Sequence, residues 1–294
     1  MADGQALFEA AAARLRGDGG SRDLVAAREL FRQSAGAGRV DAAIIYANLL
    51  AAGVGGPREW AAALRLLAAL AEVDPRSRRA LERVEAMALT EEGDPRAAPQ
   101  GEKLCETPAV TRFDRLFSPQ ECAWLAAEAA PMMAPAVVVD PGSGRQARDP
   151  VRVCDSAGFP WPLENPAVHA LNRRLAAAGA TAVEQGEPLQ VLRYRPGGEY
   201  KPHFDAIPGF ANQRVLTFLV WLNEDYEGGE THFPTPGLKL KGRPGDAILF
   251  GNTGADGRRD PASGHAGLPV TKGEKLIASR WIRARPFEMP PGEG

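Results

Sequence analysis

The sequence lacks the features that mark membrane proteins, disulfide-stabilised scaffolds and polyanion-binding proteins. It contains no run of about 18 apolar residues, and its first residues lack the basic start, apolar run and cleavage site of a secretory signal. Its three cysteines, Cys105, Cys122 and Cys154, are odd in number, widely spaced and without a C-x-x-C pair. With a formal net charge of −2, it has no basic surplus for nucleic acid or an anionic membrane. We therefore expect a cytoplasmic protein with reduced thiols and with neither nucleic acid nor membrane as a partner.

Two domains are expected from the length and from a change of pattern along the chain. The 294 residues exceed one average domain, and 44% hydrophobic with 24% charged residues suits a protein with buried cores. Residues up to 92 are rich in Ala, Leu, Arg and Glu at helical spacing, and the next eleven residues are polar with Pro and Gly. The predicted organisation is a helical domain over 1–92, a linker over 93–103, a second domain over 104–288 and a tail over 289–294.

The helical segment contains a weak internal repeat. A shift of 36 residues superimposes four apolar positions on four others, a period that suits a repeated helix pair. The matched pairs are Ala27 with Ala63, Leu30 with Leu66, Phe31 with Leu67 and Ala35 with Ala71. The segment 42–60, in which a glycine-containing turn separates small-residue helices, resembles the Sel-one-like branch of tetratricopeptide repeats. The resemblance implies a surface for a protein partner, and a plain helical bundle packed on the second domain is the alternative.

The second domain is predicted to combine two helices with short strands. The segment Ser118-Pro119-Gln120-Glu121 has the pattern of a helix start, and a second helix with an apolar stripe opens at Asn165. The runs LQVLRY, RVLTFLVWLN, DAILF and KLIASRWI are short and bounded by turn residues rather than separated by long helices. We therefore predict an α+β protein of two domains, in which an all-α domain precedes an antiparallel jelly roll (double-stranded β-helix) with flanking helices.

His203 and Asp205 form the first candidate metal-binding pair. The chain has only four histidines, and in the extended segment 200–205 residues two apart point the same way, so that Phe204 turns to the opposite side. Two histidines and one carboxylate on one face of iron(II) leave positions for a cosubstrate and dioxygen. His265, just before a new strand at Val270, is the candidate third ligand and is expected to face His203 across a sandwich. An H-x-D pair taken alone is also common as a structural feature.

A series of segments around these residues resembles the catalytic domain of prolyl 4-hydroxylases, over residues 104 to 287. In chain order the segments are LQVLRYRPGGEY at 189–200, H-x-D at 203–205, RVLT at 214–217, WLN at 221–223, GGETHFP at 228–234, PGDA at 244–247, HAG at 265–267, PV at 269–270, GEK at 273–275 and SRWI at 279–282. The resemblance implies iron(II) bound by His203, Asp205 and His265, with 2-oxoglutarate as cosubstrate.

Lys275 lies ten residues after His265, where that family places the lysine that pairs with the distal carboxylate of 2-oxoglutarate. A lysine within the apolar run KLIASRWI would lose hydration unless an anion met it. A strand-end lysine that reaches solvent is the alternative, and Lys272 is the nearby competitor. The resemblance also implies that Tyr194 and Thr231 hydrogen-bond the same carboxylate, although both equally fit ordinary sheet residues.

Other residues have less specific patterns. Arg152 resembles a family position near the substrate entrance but also fits a surface strand arginine. Trp221 stands where the family often has tyrosine, which implies an altered pocket wall. Trp281 is expected in the core, and His169 and His232 at the surface. Loops that cover the substrate are expected at residues 140–149 and 209–213.

The resemblance implies an enzyme that uses iron(II), 2-oxoglutarate, dioxygen and ascorbate to hydroxylate a C–H bond, while 2-oxoglutarate becomes succinate and carbon dioxide. The implied substrate is a proline residue of a peptide or protein, hydroxylated at C-4. A hydroxylase of a free amino acid or another small molecule is the second possibility. A non-catalytic scaffold, in which the helical repeats bind a partner and the oxygenase domain has lapsed, is the third.

Overall fold

The computed structural model describes residues 3–139, 146–148 and 151–288. They divide into two compact units. The first unit is built from the segments up to Ala98 and from Phe159 to Arg174, and the second from Pro99 to Gly158 and from Leu175 to Phe287.

Seven α-helices lie within the described residues. They are α1 (Gly4–Arg16), α2 (Leu24–Gly36), α3 (Val40–Ala52), α4 (Trp60–Ala71), α5 (Pro75–Glu85), α6 (Pro119–Ala129) and α7 (Pro166–Ala178). None of these described helices has the length and apolar character needed to cross a bilayer.

Helices α1 to α5 follow one another in the first unit, each packed on the next. The carboxylates of Asp23 and Asp74 accept hydrogen bonds from the first turns of α2 and α5, and Gly53 ends α3 in the left-handed region that glycine adopts without strain. The apolar sides of the first three helices enclose Phe31 and Leu49. Short helices with local caps therefore bury one face each, as the spacing of apolar residues predicts.

The predicted internal repeat falls on equivalent helices. α2 and α4 begin at Leu24 and Trp60, 36 positions apart. The matched residues Phe31 and Leu67 are both buried, as are Ala27 and Ala63. The repeat positions therefore face the interior in both helices.

The first unit includes more of the chain than the sequence predicts. Gly93 is buried, and a Cβ atom there would lie 2.4 Å from the ring of Trp60, so the start of the predicted linker is packed in this unit. His169 in α7 is buried rather than at the surface, and its Nδ1 lies 2.8 Å from a carboxylate oxygen of Glu164. The prediction of a surface histidine is wrong because the segment 159–174 packs with the N-terminal helices, as the hydrogen bond from Asn48 to the Pro162 carbonyl illustrates.

Sixteen strands lie within the described residues, and apart from Phe159, the last residue of the sixth strand, they belong to the second unit. They are β1 (Glu102–Glu106), β2 (Ala109–Phe113), β3 (Ala134–Pro135), β4 (Val137–Val139), β5 (Gln146–Arg148), β6 (Asp155–Phe159), β7 (Leu189–Tyr194), β8 (Tyr200–His203), β9 (Arg214–Trp221), β10 (Tyr226–Gly228), β11 (Thr231–Phe233), β12 (Leu238–Leu240), β13 (Ala247–Gly251), β14 (His265–Gly267), β15 (Val270–Gly273) and β16 (Lys275–Arg283).

Two sheets carry most of these strands. The larger has the order β1-β2-β13-β9-β16-β7-β6-β3, and the smaller has the order β12-β11-β14-β8. Every described pairing is antiparallel, which confirms the prediction against a parallel sheet. A core that includes Trp221, Phe233, Ile248 and Phe250 lies among the strands.

Both helix starts predicted for the second domain of the sequence, those of α6 and α7, are confirmed. Ser118 and Glu121 form a complete capping box at the start of α6, with both reciprocal hydrogen bonds present. The side chain of Asn165 accepts a hydrogen bond from the backbone N–H of Val168 at 3.1 Å, and the predicted apolar stripe of α7 is buried.

Candidate active site

Two neighbouring strands place two histidines side by side. His203 is the last residue of β8, His265 is the first of β14, and the two are direct partners in the antiparallel register. Their ring centroids are 4.3 Å apart. The prediction that they face each other across a sandwich is wrong, because β14 pairs with β8 within the smaller sheet.

Asp205 lies two residues after the end of β8 and approaches both histidines. Its carboxylate oxygens lie 3.6 Å from Nε2 of His203 and 3.8 Å from Nε2 of His265. One ligand atom from each of the three residues lies within 4.8 Å of the other two. Phe204 turns outward and is 38% exposed, as the period of an extended chain predicts. The structure therefore brings together the three side chains that the sequence singles out.

Each histidine points its Nε2 toward the others because its Nδ1 is already engaged. Nδ1 of His203 lies 2.7 Å from the Lys201 carbonyl oxygen, and Nδ1 of His265 lies 3.0 Å from that of Ser263. A carbonyl oxygen only accepts, so each Nδ1 carries the proton and donates. Nε2 is then the nitrogen with a free lone pair, which is the form that binds a metal ion.

The environment sets the charges of two of these groups. Burial raises the pKa of Asp205, but the neighbouring imidazole rings of His203 and His265 and the Thr217 hydroxyl together hold that pKa below its ordinary value. Burial lowers the pKa of His265 by more than the Asp205 carboxylate raises it. At neutral pH Asp205 is therefore ionised and His265 neutral, the protonation states that metal ligands need.

A buried chain of hydrogen bonds holds the carboxylate of Asp205. The Thr217 hydroxyl donates to Oδ2 of Asp205 at 2.7 Å, and the side-chain amide of Asn252 donates to that hydroxyl oxygen at 2.8 Å. Thr217 and Asn252 are both buried. Because Asn252 occupies a lone pair of the hydroxyl oxygen, the hydroxyl hydrogen is directed at Asp205. Sequence reasoning assigned no role to either residue.

Lys275 enters from the larger sheet, at the start of β16 and opposite Tyr194 of β7. It is 4% exposed, and its ammonium group donates to the Gly229 carbonyl at 2.8 Å. Burial lowers the pKa of Lys275 from 10.5 to about 8, although the charge of Glu230 raises it and Lys241 lowers it further. The alternative of a lysine in solvent does not hold here, whereas Lys272 is exposed and paired with Glu227 at 2.9 Å.

Tyr194 and Thr231 are buried beside Lys275 and line the same cavity. The Lys275 ammonium lies 5.4 Å from the centroid of the Tyr194 ring. Burial raises the pKa of Tyr194 well above its ordinary value, so its hydroxyl keeps its proton and remains a donor at neutral pH. Two hydroxyl groups and one ammonium group therefore meet in one region.

His203, Asp205 and His265 line one cavity together with Lys275, Tyr194 and Thr231, and its walls come from both sheets. From β16 it is lined by Lys275, Ile277, Ser279 and Trp281, which are every second residue of the strand. Trp281 is thus both buried, as predicted, and part of the cavity wall, which was not predicted. The period of two along β16 was the sequence signal that could have identified these wall residues.

Trp221 and Arg152 do not line the cavity in the described part of the chain. Trp221 is buried in the core with Ile248 and Phe250, so its expected place in the pocket wall is not observed. Arg152 lies beside β8, in a β-bridge with Tyr200, and its guanidinium is 5.7 Å from the centroid of that ring.

His232 is half-buried in β11 and is not part of the histidine and aspartate cluster. Most of the predicted covering loop at 140–149 lies outside the described residues. The other predicted loop, at 209–213, follows Asp205 and exposes Phe210.

The chain resembles known proteins over this unit. The 2OG-Fe(II) oxygenase superfamily matches residues 189–283. Prolyl 4-hydroxylase 1 of Arabidopsis thaliana is 37% identical over 199 residues, which cover 61% of this chain and 70% of that protein. Prolyl 4-hydroxylase subunit alpha-1 of Rattus norvegicus is 31% identical over 194 residues, covering 63% of this chain and 36% of that protein.

Among solved structures, the viral collagen prolyl hydroxylase of Paramecium Bursaria Chlorella virus-1 in its 2OG complex is 29% identical. The match covers 62% of this chain and 99% of the viral chain, with a TM-score of 0.49. The superfamily match spans His203, Asp205, His265 and Lys275. Members of this superfamily use iron(II), 2-oxoglutarate and dioxygen. With the similarity to Arabidopsis prolyl 4-hydroxylase 1, it shows that the chain belongs to the prolyl 4-hydroxylase family of iron(II)- and 2-oxoglutarate-dependent dioxygenases.

Proposed function

We propose that the chain hydroxylates C-4 of a proline residue in a peptide or protein, while 2-oxoglutarate and dioxygen are converted to succinate and carbon dioxide. The observation that carries the proposal is one cavity in which a His-Asp-His cluster from one sheet meets a buried lysine from the other. The names of the relatives, which are prolyl 4-hydroxylases, support proline as the substrate residue.

His203, Asp205 and His265 would hold the iron(II). The fit rests on the donor set, because two imidazole nitrogens and one carboxylate suit iron(II) and leave further positions open. It rests also on Nε2 of His203, which is buried and makes no hydrogen bond with the described residues. Both Nε2 atoms carry free lone pairs, and Asp205 is held ionised by Thr217.

Lys275 would pair with the distal carboxylate of 2-oxoglutarate, with Tyr194 and Thr231 as hydroxyl donors to the same group. A buried ammonium group gains most from an anion in the same low-dielectric space, which favours a dicarboxylate over a neutral ligand. Arg280, a competing cation, is buried elsewhere and donates to the carbonyl oxygens of Glu187 and Val183.

Bound iron(II) would supply the activation of dioxygen that oxidises 2-oxoglutarate and hydroxylates the substrate. The protein's own contribution is orientation and dryness. Thr217 and Asn252 hold the carboxylate of Asp205, and the two backbone carbonyls hold the imidazole rings. The apolar walls formed by Leu192, Ile277 and Trp281 keep water from the reacting groups.

The function is tested by incubating the purified chain with iron(II), 2-oxoglutarate, ascorbate and proline-containing peptides. The expected result is succinate release matched by a +16 Da product, with the oxygen at C-4 by amino-acid analysis. His203→Ala, Asp205→Ala and His265→Ala should each abolish turnover, whereas the control His232→Ala should keep it. Full activity in any of the three would refute the metal assignment.

The lysine assignment is tested by the requirement for 2-oxoglutarate. Lys275→Ala should raise the KM for 2-oxoglutarate by at least about 10-fold, because the cost of losing a buried charge partner is several times RT. The matched control Lys272→Ala, an exposed lysine three positions away, should leave the KM unchanged. An unchanged KM in Lys275→Ala would refute the assignment.

Two other functions from the sequence remain as outcomes of the same assay. Hydroxylation of free proline or another small molecule without any peptide product would favour the small-molecule enzyme. No succinate under any condition, together with capture of a partner by the helical unit, would favour the non-catalytic scaffold. Arg152 stays a proposed contact at the substrate entrance, since it lies beside β8.

We also propose the finer architecture, location and partner that the sequence indicates. The second unit would be a double-stranded β-helix, which the two antiparallel sheets around one cavity support. The first unit would consist of Sel-one-like repeats that bind a protein partner, which the 36-residue offset of α2 and α4 supports. Ascorbate as the reductant and a cytoplasmic location complete the proposal. Mass spectrometry of proteins captured by the full chain, with a search for +16 Da proline, tests it.

A further inference from the structure

The exposed apolar side chains of the second unit gather on segments next to β8. Among the described residues of this unit, the large hydrophobic side chains classed as exposed are Val137, Val151, Val153, Phe204 and Phe210. The backbone N–H of Val153 donates to the Glu199 carbonyl, and that of Lys201 donates to the Val151 carbonyl, so the segment 151–153 runs beside β8.

Phe204 and Phe210 follow His203 on the same segment and are 38% and 56% exposed. A soluble protein exposes single apolar side chains commonly, but a set gathered beside a metal-binding cluster indicates a contact surface. We call Val151, Val153, Phe204, Phe210 and Arg259 the β8 surface.

Arg259 lies over the ring of Phe204. Its guanidinium carbon lies 4.3 Å from the centroid of the ring. The same ring is packed against Gly264, where a Cβ atom would lie 3.2 Å from the ring. Phe204 stands between His203 and Asp205, and Gly264 precedes His265, so the stack is attached to the segments that carry all three candidate ligands. A stacked guanidinium keeps its N–H edge free to bind a carboxylate.

The positive charge of Arg259 is not neutralised within the described residues, where no acidic side chain forms an ion pair with it. The adjacent Arg258 differs, since its side chain is 89% exposed and lies 3.9 Å from a carboxylate oxygen of Asp256. Arg283, which lies over the ring of Phe210, is paired with Glu187 at 2.6 Å. Of Arg258, Arg259 and Arg283, Arg259 is therefore the one that has no ion pair with an acidic side chain among the described residues.

We propose that the β8 surface receives the peptide substrate and that Arg259 selects chains with an acidic residue near the target proline. The inference rests on the proposed function and adds the substrate class to it. The apolar side chains contact the peptide beside the target proline, and the guanidinium of Arg259 pairs with a glutamate or aspartate carboxylate. A charge at the rim of an interface acts on the rate of association and is sensitive to salt, whereas the apolar contacts are not.

The test measures peptide binding separately from turnover. Three fluorescein-labelled peptides have a central proline flanked on both sides by glutamate, glutamine or lysine and are otherwise identical. Fluorescence anisotropy gives their Kd for the full chain loaded with iron(II) and 2-oxoglutarate under anaerobic conditions. We expect the glutamate peptide to bind about 10-fold more tightly than the lysine peptide at low salt, with the glutamine peptide between them. The ratio should fall toward one between about 0.05 M and about 0.5 M salt.

Variants identify the residue responsible. Arg259→Ala should reduce the discrimination to about 2-fold or less, and Arg259→Glu should invert it in favour of the lysine peptide. The matched control Arg258→Ala removes a neighbouring arginine that is not stacked on Phe204 and should keep the wild-type ratio. Phe210→Ser should weaken all three peptides alike, because it removes an apolar contact without a change of charge. Circular dichroism establishes that each variant is folded.

The inference is overturned if the wild-type chain binds the three peptides equally, or if Arg258→Ala lowers the discrimination as much as Arg259→Ala. Its failure is distinct from failure of the proposed function. Equal binding with +16 Da proline in every peptide would remove the acidic preference alone. Charge discrimination that depends on Arg259 without any hydroxylated product would keep this inference and refute prolyl hydroxylation.

Discussion

Thr217 holds the carboxylate of Asp205 through a hydroxyl group that is itself held by Asn252. Thr217→Val keeps the shape of the side chain but removes the donor, so Asp205 gains freedom to rotate and loses a partner for its charge. Loss of such a partner behind a ligand typically weakens metal binding by about 10- to 100-fold. We expect that range for the Kd of cobalt(II), measured by its visible absorption, and we expect Thr217→Ser to restore the wild-type value.

The role of Asn252 is resolved by a double-mutant cycle. If Asn252 acts only by orienting the Thr217 hydroxyl, Asn252→Leu weakens cobalt binding in the wild-type background and has no further effect in Thr217→Val. The control is Asn223→Ala. Asn223 lies two residues after β9 and, among the described residues, hydrogen-bonds the backbone of Glu274 and Leu276, so its loss should change stability without changing the Kd. Additive effects of Thr217→Val and Asn252→Leu would contradict this order of action.

The pH dependence of 2-oxoglutarate binding should report the charge of Lys275. Burial lowers the pKa of this lysine from 10.5 to about 8, so the group is charged below pH 8 and neutral above it. A dicarboxylate binds the charged form, and its Kd should therefore rise by up to about 10-fold for each pH unit above 8. Isothermal titration of 2-oxoglutarate from pH 6.5 to 9.5 measures this, and Lys275→Arg should remain flat because arginine stays charged. A flat wild-type profile would contradict the prediction.

The sequence identifies the candidate metal ligands and the lysine of the site better than the residues that hold Asp205 in place by hydrogen bonds. His203, Asp205 and Lys275 are recognisable mainly because the segments around them resemble the prolyl 4-hydroxylase catalytic domain. The scarcity of histidine and the position of a lysine in an apolar strand give further support. Thr217, within β9, and Asn252, just after β13, are ordinary residue types in ordinary positions. Their role depends on which strand lies behind Asp205, and nothing in the local pattern specifies that.

At the scale of elements, the turn before β13 explains why the segment PGDA at 244–247 contains a glycine followed by an aspartate. Gly245 has a φ of +94°, and a Cβ atom there would lie 1.9 Å from the Phe117 carbonyl oxygen. The next residue, Asp246, is fully buried and accepts hydrogen bonds from the backbone N–H groups of Arg115 and Arg243. Burial raises the pKa of Asp246, but these hydrogen bonds and the neighbouring arginines leave it below its ordinary value. Gly245 and Asp246 thus hold the turn that starts β13 against residues 115–117, which follow β2.

Gly245→Ala should destabilise the protein by more than about 2 kcal/mol, because it combines an unfavourable φ with a clash against backbone. Gly237 is the matched control, since its φ of +71° is also positive but no atom lies within 4 Å of its added Cβ. Gly237→Ala should cost only about 1 to 2 kcal/mol, the ordinary penalty of the left-handed region. Chemical denaturation of both variants measures the difference, and equal losses would contradict the role assigned to the contact with Phe117.

The pattern of apolar residues predicted which segments form strands, but not which strands pair with one another. The runs that became β7, β9, β13 and β16 were recognisable because apolar residues continue over a length typical of strands. The placement of His265 across a sandwich from His203 was wrong, because strand pairing over a long loop depends on the whole sheet. The wall residues of β16 were within reach of the sequence, since Ile277, Ser279 and Trp281 follow Lys275 at a period of two.

At the scale of the whole molecule, the first unit is discontinuous along the chain. Residues 159–174 belong with the segment up to Ala98, although the sequence assigns them to the second domain. Arg173 forms an ion pair with Asp94 and hydrogen-bonds the Glu92 carbonyl, and the ring of His169 lies 6.4 Å from that of Trp60. The composition changes near residue 93, which marks the end of the N-terminal helices. Local composition does not indicate that a later helix packs with those helices.

This organisation predicts the behaviour of a fragment that begins at Pro99. The fragment keeps residues 159–174 but removes α1 to α5, which exposes His169, and it also removes Asp94, which forms an ion pair with Arg173. Loss of this ion pair and newly exposed packing surface each cost stability, so the fragment should give less soluble protein and a lower thermal midpoint than the full chain. Co-expression of residues 3–98 as a separate chain should restore the soluble yield, because it returns the missing partners of the segment 159–174. A fragment as soluble and as stable as the full chain would show instead that this segment folds with the second unit alone.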